Sequence, residues 1–122
     1  MTATDPALFS AQELVRLFRR RALSPVEVAK ACLERIERWN GEVGAFTLVD
    51  AEGALEAARA SEARWREGRP LGPIDGVPAS VKDLNLMKGF TTRRGSRTTE
   101  GDPPDAVDSP PVARLREAGV AI

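Results

Sequence analysis

The sequence predicts an α/β fold. Three observations carry that prediction. Apolar residues recur at helical spacing in four capped segments, about 10–22, 24–40, 50–68 and 110–118. Two short apolar runs, about 45–49 and 77–82, read as strands bounded by turn residues. Those runs flank the third helix, so strand, helix and strand follow one another as in a βαβ unit.

The first helix opens on a capping box, Ser10 with Glu13, and carries Ala11, Leu14, Val15, Phe18 and Ala22 on one face. Arg19, Arg20 and Arg21 fall in its last turn, where positive charge suits the helix dipole. The triplet reads as a solvated helix end, or as a phosphate-binding patch. The second helix repeats the device with Ser24, Pro25 and Glu27. Its apolar face is Val28, Ala29, Cys32, Leu33, Ile36 and Trp39, and Asn40-Gly41 is the expected stop. Cys32 on that face is read as a small core hydrophobe and not as a reactive thiol.

Phe46, Leu48 and Val49 supply the first strand, and Asp50 caps the third helix. Ala51, Ala54, Leu55, Ala58 and Trp65 face inward there, while Glu56–Arg59 and Glu62–Arg66 are spaced to pair on its surface. Gly72-Pro73 and Asp75-Gly76 are turn dipeptides, and Val77 is held extended by Pro78. Segment 85–111 lacks periodicity and reads as a long ordered loop, of the kind that often serves function. Ser109-Pro110-Pro111 begins the last helix, which bears Val112, Leu115 and Ala118 and ends at Gly119. Val120-Ala121-Ile122 then announces a further strand, so the 122 residues read as the N-terminal portion of one larger domain.

Several function classes are excluded early. A net charge of zero argues against nucleic acid or an anionic membrane as partner. Residues 1–12 have neither the charged nor the apolar region of a signal peptide, and no apolar run matches a membrane span, so a cytoplasmic protein is expected. One cysteine cannot form an intrachain disulfide. Histidine is absent, so neither a Ser–His–Asp site nor a histidine-ligated metal can be built from these residues. Proton transfer near neutral pH must then use a perturbed lysine, cysteine, carboxylate or terminal amine.

That absence directs attention to Lys82. The chain has three lysines, Lys30, Lys82 and Lys88, against fifteen arginines. Arginine keeps its proton in proteins, whereas a desolvated lysine can lose it. A lysine serving as base near neutral pH must drop roughly 3 units from its reference value, which costs about 4 kcal/mol and demands near-complete burial. Alternation puts Ser80, Lys82 and Leu84 on one side of the strand. Spacing alone therefore favours a solvent-facing lysine on a half-buried strand over a buried base. Asp83 should face away from the amine and reads as a turn or capping residue. The loop Thr91-Thr92-Arg93-Arg94-Gly95-Ser96 offers hydroxyls, backbone donors and cations for an anionic or carbonyl group. Within it, Thr92, Gly95 and Ser96 are the candidate substrate contacts. The glycines of this stretch lack the P-loop spacing.

Taken together, the run Gly72-Pro73-Ile74-Asp75-Gly76-Val77-Pro78, then Ser80-Val81-Lys82-Asp83, then Gly89, Thr91-Thr92 and Gly95-Ser96, resembles the amidase signature family of serine hydrolases. The resemblance extends from about residue 8 to residue 122. It implies an α/β/α sandwich with a mixed sheet and helices at the N-terminus. It also implies a Ser–cisSer–Lys triad in which Lys82 matches the catalytic lysine. In the family that lysine is neutral and relays a proton through a serine on a cis peptide to a second serine. The second serine attacks an amide carbonyl, backbone N–H groups hold the oxyanion, an amine leaves, and water hydrolyses the acyl-enzyme. No metal or cofactor is implied, and the partner is a small-molecule amide. The family's glycine- and serine-rich motif lies beyond residue 122, and Ser80 and Ser96 do not stand in for its serines. With one of three catalytic residues, this piece is expected to be inactive alone.

Two alternatives stand beside the linear-amide hydrolase. Within the family, the alternative is the glutamine-hydrolysing subunit of a tRNA-dependent amidotransferase; the sequence does not decide between the two, and the neutral charge leans toward a stand-alone amidase. Outside catalysis, the apolar helix faces suit a helical interaction or homo-oligomerisation module.

Overall fold

The computed structural model describes residues 4–122; Met1–Ala3, which open the stretch read for a signal peptide, lie outside the described residues. Among the described residues four α-helices form: α1 (Ala11–Arg19), α2 (Pro25–Val43), α3 (Ala51–Arg66) and α4 (Pro110–Glu117), with single 3-10 turns at Pro6–Leu8 and Arg97–Thr99. None of them is long and apolar enough to cross a membrane.

The caps set these boundaries. Ser10 with Glu13 and Ser24 with Glu27 both close reciprocal capping boxes, and the Asp50 carboxylate accepts the Gly53 N–H at 3.0 Å. Glu62 and Arg66 pair across one turn of α3 at 3.2 Å, whereas no Glu56–Arg59 pair forms among the described residues. The expected stop at Asn40-Gly41 is displaced. Helix α2 runs on to Val43 and ends at Gly44, whose φ of +58° makes a left-handed C-terminal cap. Asn40 instead secures the next segment: its side chain donates to the Phe46 carbonyl at 2.9 Å and accepts the Phe46 N–H at 2.7 Å.

Neither expected strand forms a ladder among the described residues. Segment 45–49 makes no backbone bridge among the described residues, and Leu48 and Val49 stay exposed. Segment 77–82 makes one parallel bridge, Pro78 with Ala121. The Ala79 N–H donates to the Ala121 carbonyl at 2.9 Å, and the Ala121 N–H donates to the Val77 carbonyl at 3.1 Å. Pro78 has no N–H to extend the pairing, and beyond Ala79 no second segment runs alongside. The sheet is thus reduced to this single contact beneath α2 and α3.

The core joins the three long helices to that contact. Leu14, Phe18, Val28 and Trp65 form one buried cluster, in which the Phe18 and Trp65 rings meet at 6.2 Å and 53°. Ala29, Ala58 and Ala121 form a second, where small residues let α2, α3 and the chain end approach closely. The face of α2 is buried only in its first turns; Trp39, expected in the core, is 42% exposed. Cys32 is half-buried, and burial, with the Asp5 carboxylate adding to it, pushes its thiol up, as suits a packing residue.

A buried ion pair fixes the turn before the bridge. The Asp75 carboxylate is fully buried and takes two hydrogen bonds from Arg64, at 2.8 and 2.6 Å, and one from the Leu71 N–H at 2.8 Å. Trp65 Nε1 donates to the Asp75 carbonyl at 3.0 Å. Gly76 follows at φ +81°, and a β-carbon there would drive into Ser61 and Pro25. Both its backbone angle and its space demand glycine. Gly76→Ala is therefore expected to destabilise the chain by about 2 kcal/mol or more, read as a lower urea midpoint at unchanged slope.

Candidate active site

The candidate site is assembled by turns. The Asp75-Gly76 turn sends the chain into the Pro78 bridge, and Lys82 follows four residues later. A second turn begins at Lys82 itself, whose carbonyl accepts the Leu84 and Asn85 N–H groups at 2.7 and 3.1 Å. Segment 85–111 closes on itself. Gly89 N–H donates to the Asp105 carbonyl, Asp105 N–H to the Phe90 carbonyl and Ser109 N–H to the Leu86 carbonyl, each at 2.9 Å. The Lys88 N–H adds a bond to the Asp108 carboxylate at 2.8 Å. The loop is thus an ordered hairpin-like flap beside the lysine.

Between flap, lysine and the 45–49 segment lies a cleft of about 410 Å³, lined by Lys82, Asp83, Asn85, Thr92, Arg93 and Thr47 among others. Lys82 is exposed at this cleft, as are Ser80 and Leu84 along the same segment, while Ala79 and Val81 are half-buried. The alternation expected from the sequence is thus present in the side-chain directions even though no ladder forms.

Of the three candidate substrate contacts, Thr92 alone lines the cleft. It is buried, and its hydroxyl donates to the Asp105 carboxylate, with the Asn85 carbonyl 3.4 Å away. Gly95 is exposed in a turn at φ +63°. Ser96 is occupied as a cap: its hydroxyl accepts the Thr98 N–H at 3.2 Å and meets the Thr98 hydroxyl at 2.8 Å. Among the described residues no serine lines the cleft, so the amine there has no serine nucleophile beside it. Nor, among the described residues, do three His, Cys, Asp or Glu side chains converge on one point.

Two residues of the site escape a reading of the sequence. Thr47 enters the cleft from the segment expected to be a strand, and Asp105 orients Thr92 from thirteen residues away. Neither carries a local pattern that would mark it. Asp83, expected to serve a turn, does hold one: its Oδ1 accepts the Arg93 N–H at 2.8 Å.

A second, larger groove of about 640 Å³ adjoins the cleft and shares Leu48, Val81 and Met87 with it. Its walls are mainly apolar, with Leu33, Ile36, Trp39 and Val43 from α2 and Phe46 and Ala121 opposite.

Similarity to known proteins runs along nearly the whole chain. A family model described as Amidase matches residues 27–122. A glutamyl-tRNA(Gln) amidotransferase subunit from Salinispora arenicola is 48% identical over 119 residues, covering 98% of this chain and 24% of the relative. The corresponding mitochondrial glutamyl-tRNA(Gln) amidotransferase subunit of Ixodes scapularis is 43% identical over 86 residues, covering 70% of this chain and 17% of the relative. Among solved structures, a vestigial protein complex bearing on the origins of an s-triazine catabolic enzyme matches with a TM-score of 0.88 at 31% identity, over 93% of this chain and 25% of that one. A crystal structure of an amidase matches with a TM-score of 0.82 at 32% identity, over 93% of this chain and 26% of that one. The chain spans about a quarter of the length of the curated relatives it matches.

Proposed function

This chain belongs to the amidase family, and from that premise we propose that it is the N-terminal portion of a single amidase domain that hydrolyses linear C–N amide bonds. The observation that carries the reading is the placement of Lys82 on a cleft, within the motif segment Gly72–Asp83. In this reading Lys82 is the base of a Ser–cisSer–Lys triad whose two serines come from polypeptide beyond these residues. The complete domain is an α/β/α sandwich, and the Pro78–Ala121 bridge is the first contact of its mixed sheet. The substrate is a small-molecule amide held in the Lys82 cleft, with Thr92 on its wall. Lys82 takes a proton, by way of one serine, from the serine that attacks the carbonyl; that proton then goes to the leaving amine.

Within the family, the 48% identity to an amidotransferase subunit favours glutamine as the amide over the stand-alone reading that neutral charge suggested. The test is a chimera in which this chain replaces the matching N-terminal quarter of the Salinispora relative. The chimera is expected to release ammonia from glutamine, and the 122-residue chain alone to show no turnover of glutamine, aliphatic or aryl amides above buffer. A folded chimera without turnover, or an isolated chain with a robust rate, overturns the reading.

A second reading, a non-catalytic interaction module, is favoured by the 640 Å³ apolar groove and by exposed Trp39 and Val43 on its wall. A stable homo-oligomer of the isolated chain in sedimentation, together with a silent chimera, would support it.

A further inference from the structure

Asp83 makes two separate attachments to one turn. Its Oδ1 accepts the Arg93 N–H at 2.8 Å, and its backbone carbonyl accepts the Arg94 N–H at 3.1 Å. The turn at 93–96 is closed by the Ser96 N–H on the Arg93 carbonyl at 3.0 Å. Both of its central residues are left-handed, Arg94 at φ +55° and Gly95 at φ +63°. This is type I′ geometry, which suits Asn or Gly at both places. Arginine at the first is strained, so the turn depends on outside support to persist. Asp83 supplies that support from the residue next to Lys82.

The carboxylate is also employed in an unusual way. A turn-capping aspartate commonly leaves its second oxygen to water. Here Oδ2 is buried and has no hydrogen-bond partner among the described residues. Burying an unpaired carboxylate oxygen costs stability, and a residue needed only to close a surface turn would not require it. Lys82, Asp83 and Arg93 all line the same cleft.

We propose that Asp83 is a positioning residue, which ties the 93–96 turn to the backbone immediately after Lys82 and so holds the lysine and the opposite cleft wall in fixed register. The inference rests on Lys82 acting as the base. Asp83 is held through its side chain and through the Asp83–Leu84 peptide, while the Lys82 carbonyl accepts the Leu84 and Asn85 N–H groups, so the backbone on both sides of Asp83 is fixed against the turn that faces the lysine. A displacement of about 1 Å at a reacting group can cost on the order of 100-fold in rate, so this register matters for the lysine more than for the fold.

The test has two arms. In the isolated 122-residue chain, Asp83→Ala is expected to speed amide hydrogen exchange at Arg93 roughly tenfold, while the Leu71 N–H on the remote Asp75 carboxylate is unchanged. Asp83→Asn keeps an oxygen acceptor at Oδ1 and should restore slow exchange. In the chimera, Asp83→Ala should lower kcat about 100-fold at unchanged KM, and Asp83→Asn should recover most of it. Unaltered Arg93 exchange in Asp83→Ala overturns the proposal. So does an Asn variant as poor as alanine, which would assign the effect to charge. If the parent chimera is folded and silent, the amidase reading fails, and the exchange arm alone decides whether Asp83 holds the turn.

Discussion

Lys82→Ala in the chimera is expected to lower kcat/KM by about 10²–10⁴-fold, the range that a positioned general base contributes. Lys82→Arg is expected to do the same. Arginine preserves the positive charge and much of the length, but it does not give up its proton. The pair of variants therefore separates two roles that a single alanine cannot. If Lys82 only attracts an anionic substrate, arginine retains activity and alanine loses it. If Lys82 carries the proton, both are silent. Lys30 on α2 and Lys88 in the flap serve as controls, since neither is placed in the cleft and their substitution should leave the rate within a factor of two or so. The base role also predicts where the missing burial comes from. Lys82 is exposed among the described residues, whereas a lysine that works unprotonated must be taken out of water. The adjoining apolar groove shares Leu48, Val81 and Met87 with the cleft. Lys82 itself lines the cleft and not the groove, so in the proposed reading the serine-bearing polypeptide must close over the cleft to desolvate the amine.

The helices are legible in the sequence because their signals are local. Ser10-x-x-Glu13 and Ser24-Pro25-x-Glu27 specify their N-terminal caps through bonds that span three residues. Their C-terminal ends are less so. Asn40-Gly41 has the composition of a stop, yet the left-handed residue is Gly44, because the Asn40 side chain is drawn to the Phe46 backbone. The expected strands fail for a different reason. Apolar alternation in 77–82 is real, and it survives as alternating exposure of Ala79 through Leu84. A ladder, however, needs a partner backbone, and Ala121 is the sole partner among the described residues. Periodicity reports which side of a segment is apolar; it does not report whether a neighbour is present. The site divides along the same line. Lys82 stands out through residue bias and motif, both readable in one dimension. Thr47 and Asp105 join the site through tertiary placement alone, and nothing in their local sequence announces it. Gly95 and Ser96 have suitable chemistry but are committed to a turn and a cap.

Asp75→Asn is expected to cost about 3–5 kcal/mol of folding stability, the effect of stripping one partner from a buried ion pair. Against a typical domain total of about 5–15 kcal/mol, that loss is a large fraction of the whole. The size follows from what the carboxylate does. Burial by itself pushes the Asp75 carboxyl up, but the Arg64 guanidinium and the Leu71 N–H outweigh that and hold it below the usual aspartate value. It is therefore ionised in the folded chain, with Arg64 as its counter-charge on a side chain only 25% exposed. Replacing both partners by apolar residues does not restore the balance, because the Leu71 N–H would still lose its acceptor, at about 1–3 kcal/mol. The pH dependence has a definite sign. Since the folded value lies below the unfolded one, the pair's contribution is complete above about pH 3.9 and is lost as pH falls from there through the folded value. Urea midpoints should thus hold between about pH 5 and 7 and fall steeply below about 4 in the parent chain, while Asp75→Asn should show a shallower acid limb from a lower starting point. The consequence reaches the site. Asp75 joins α3, the turn at Gly76 and the backbone at Gly119, where even a methyl group would strike its carboxylate. Loss of the pair releases the Pro78–Ala121 contact and, with it, the segment that carries Lys82. A chimera bearing Asp75→Asn should accordingly lose activity along its thermal unfolding curve, and a variant that kept full activity while losing about 3 kcal/mol of stability would show that the lysine is held by something other than this pair.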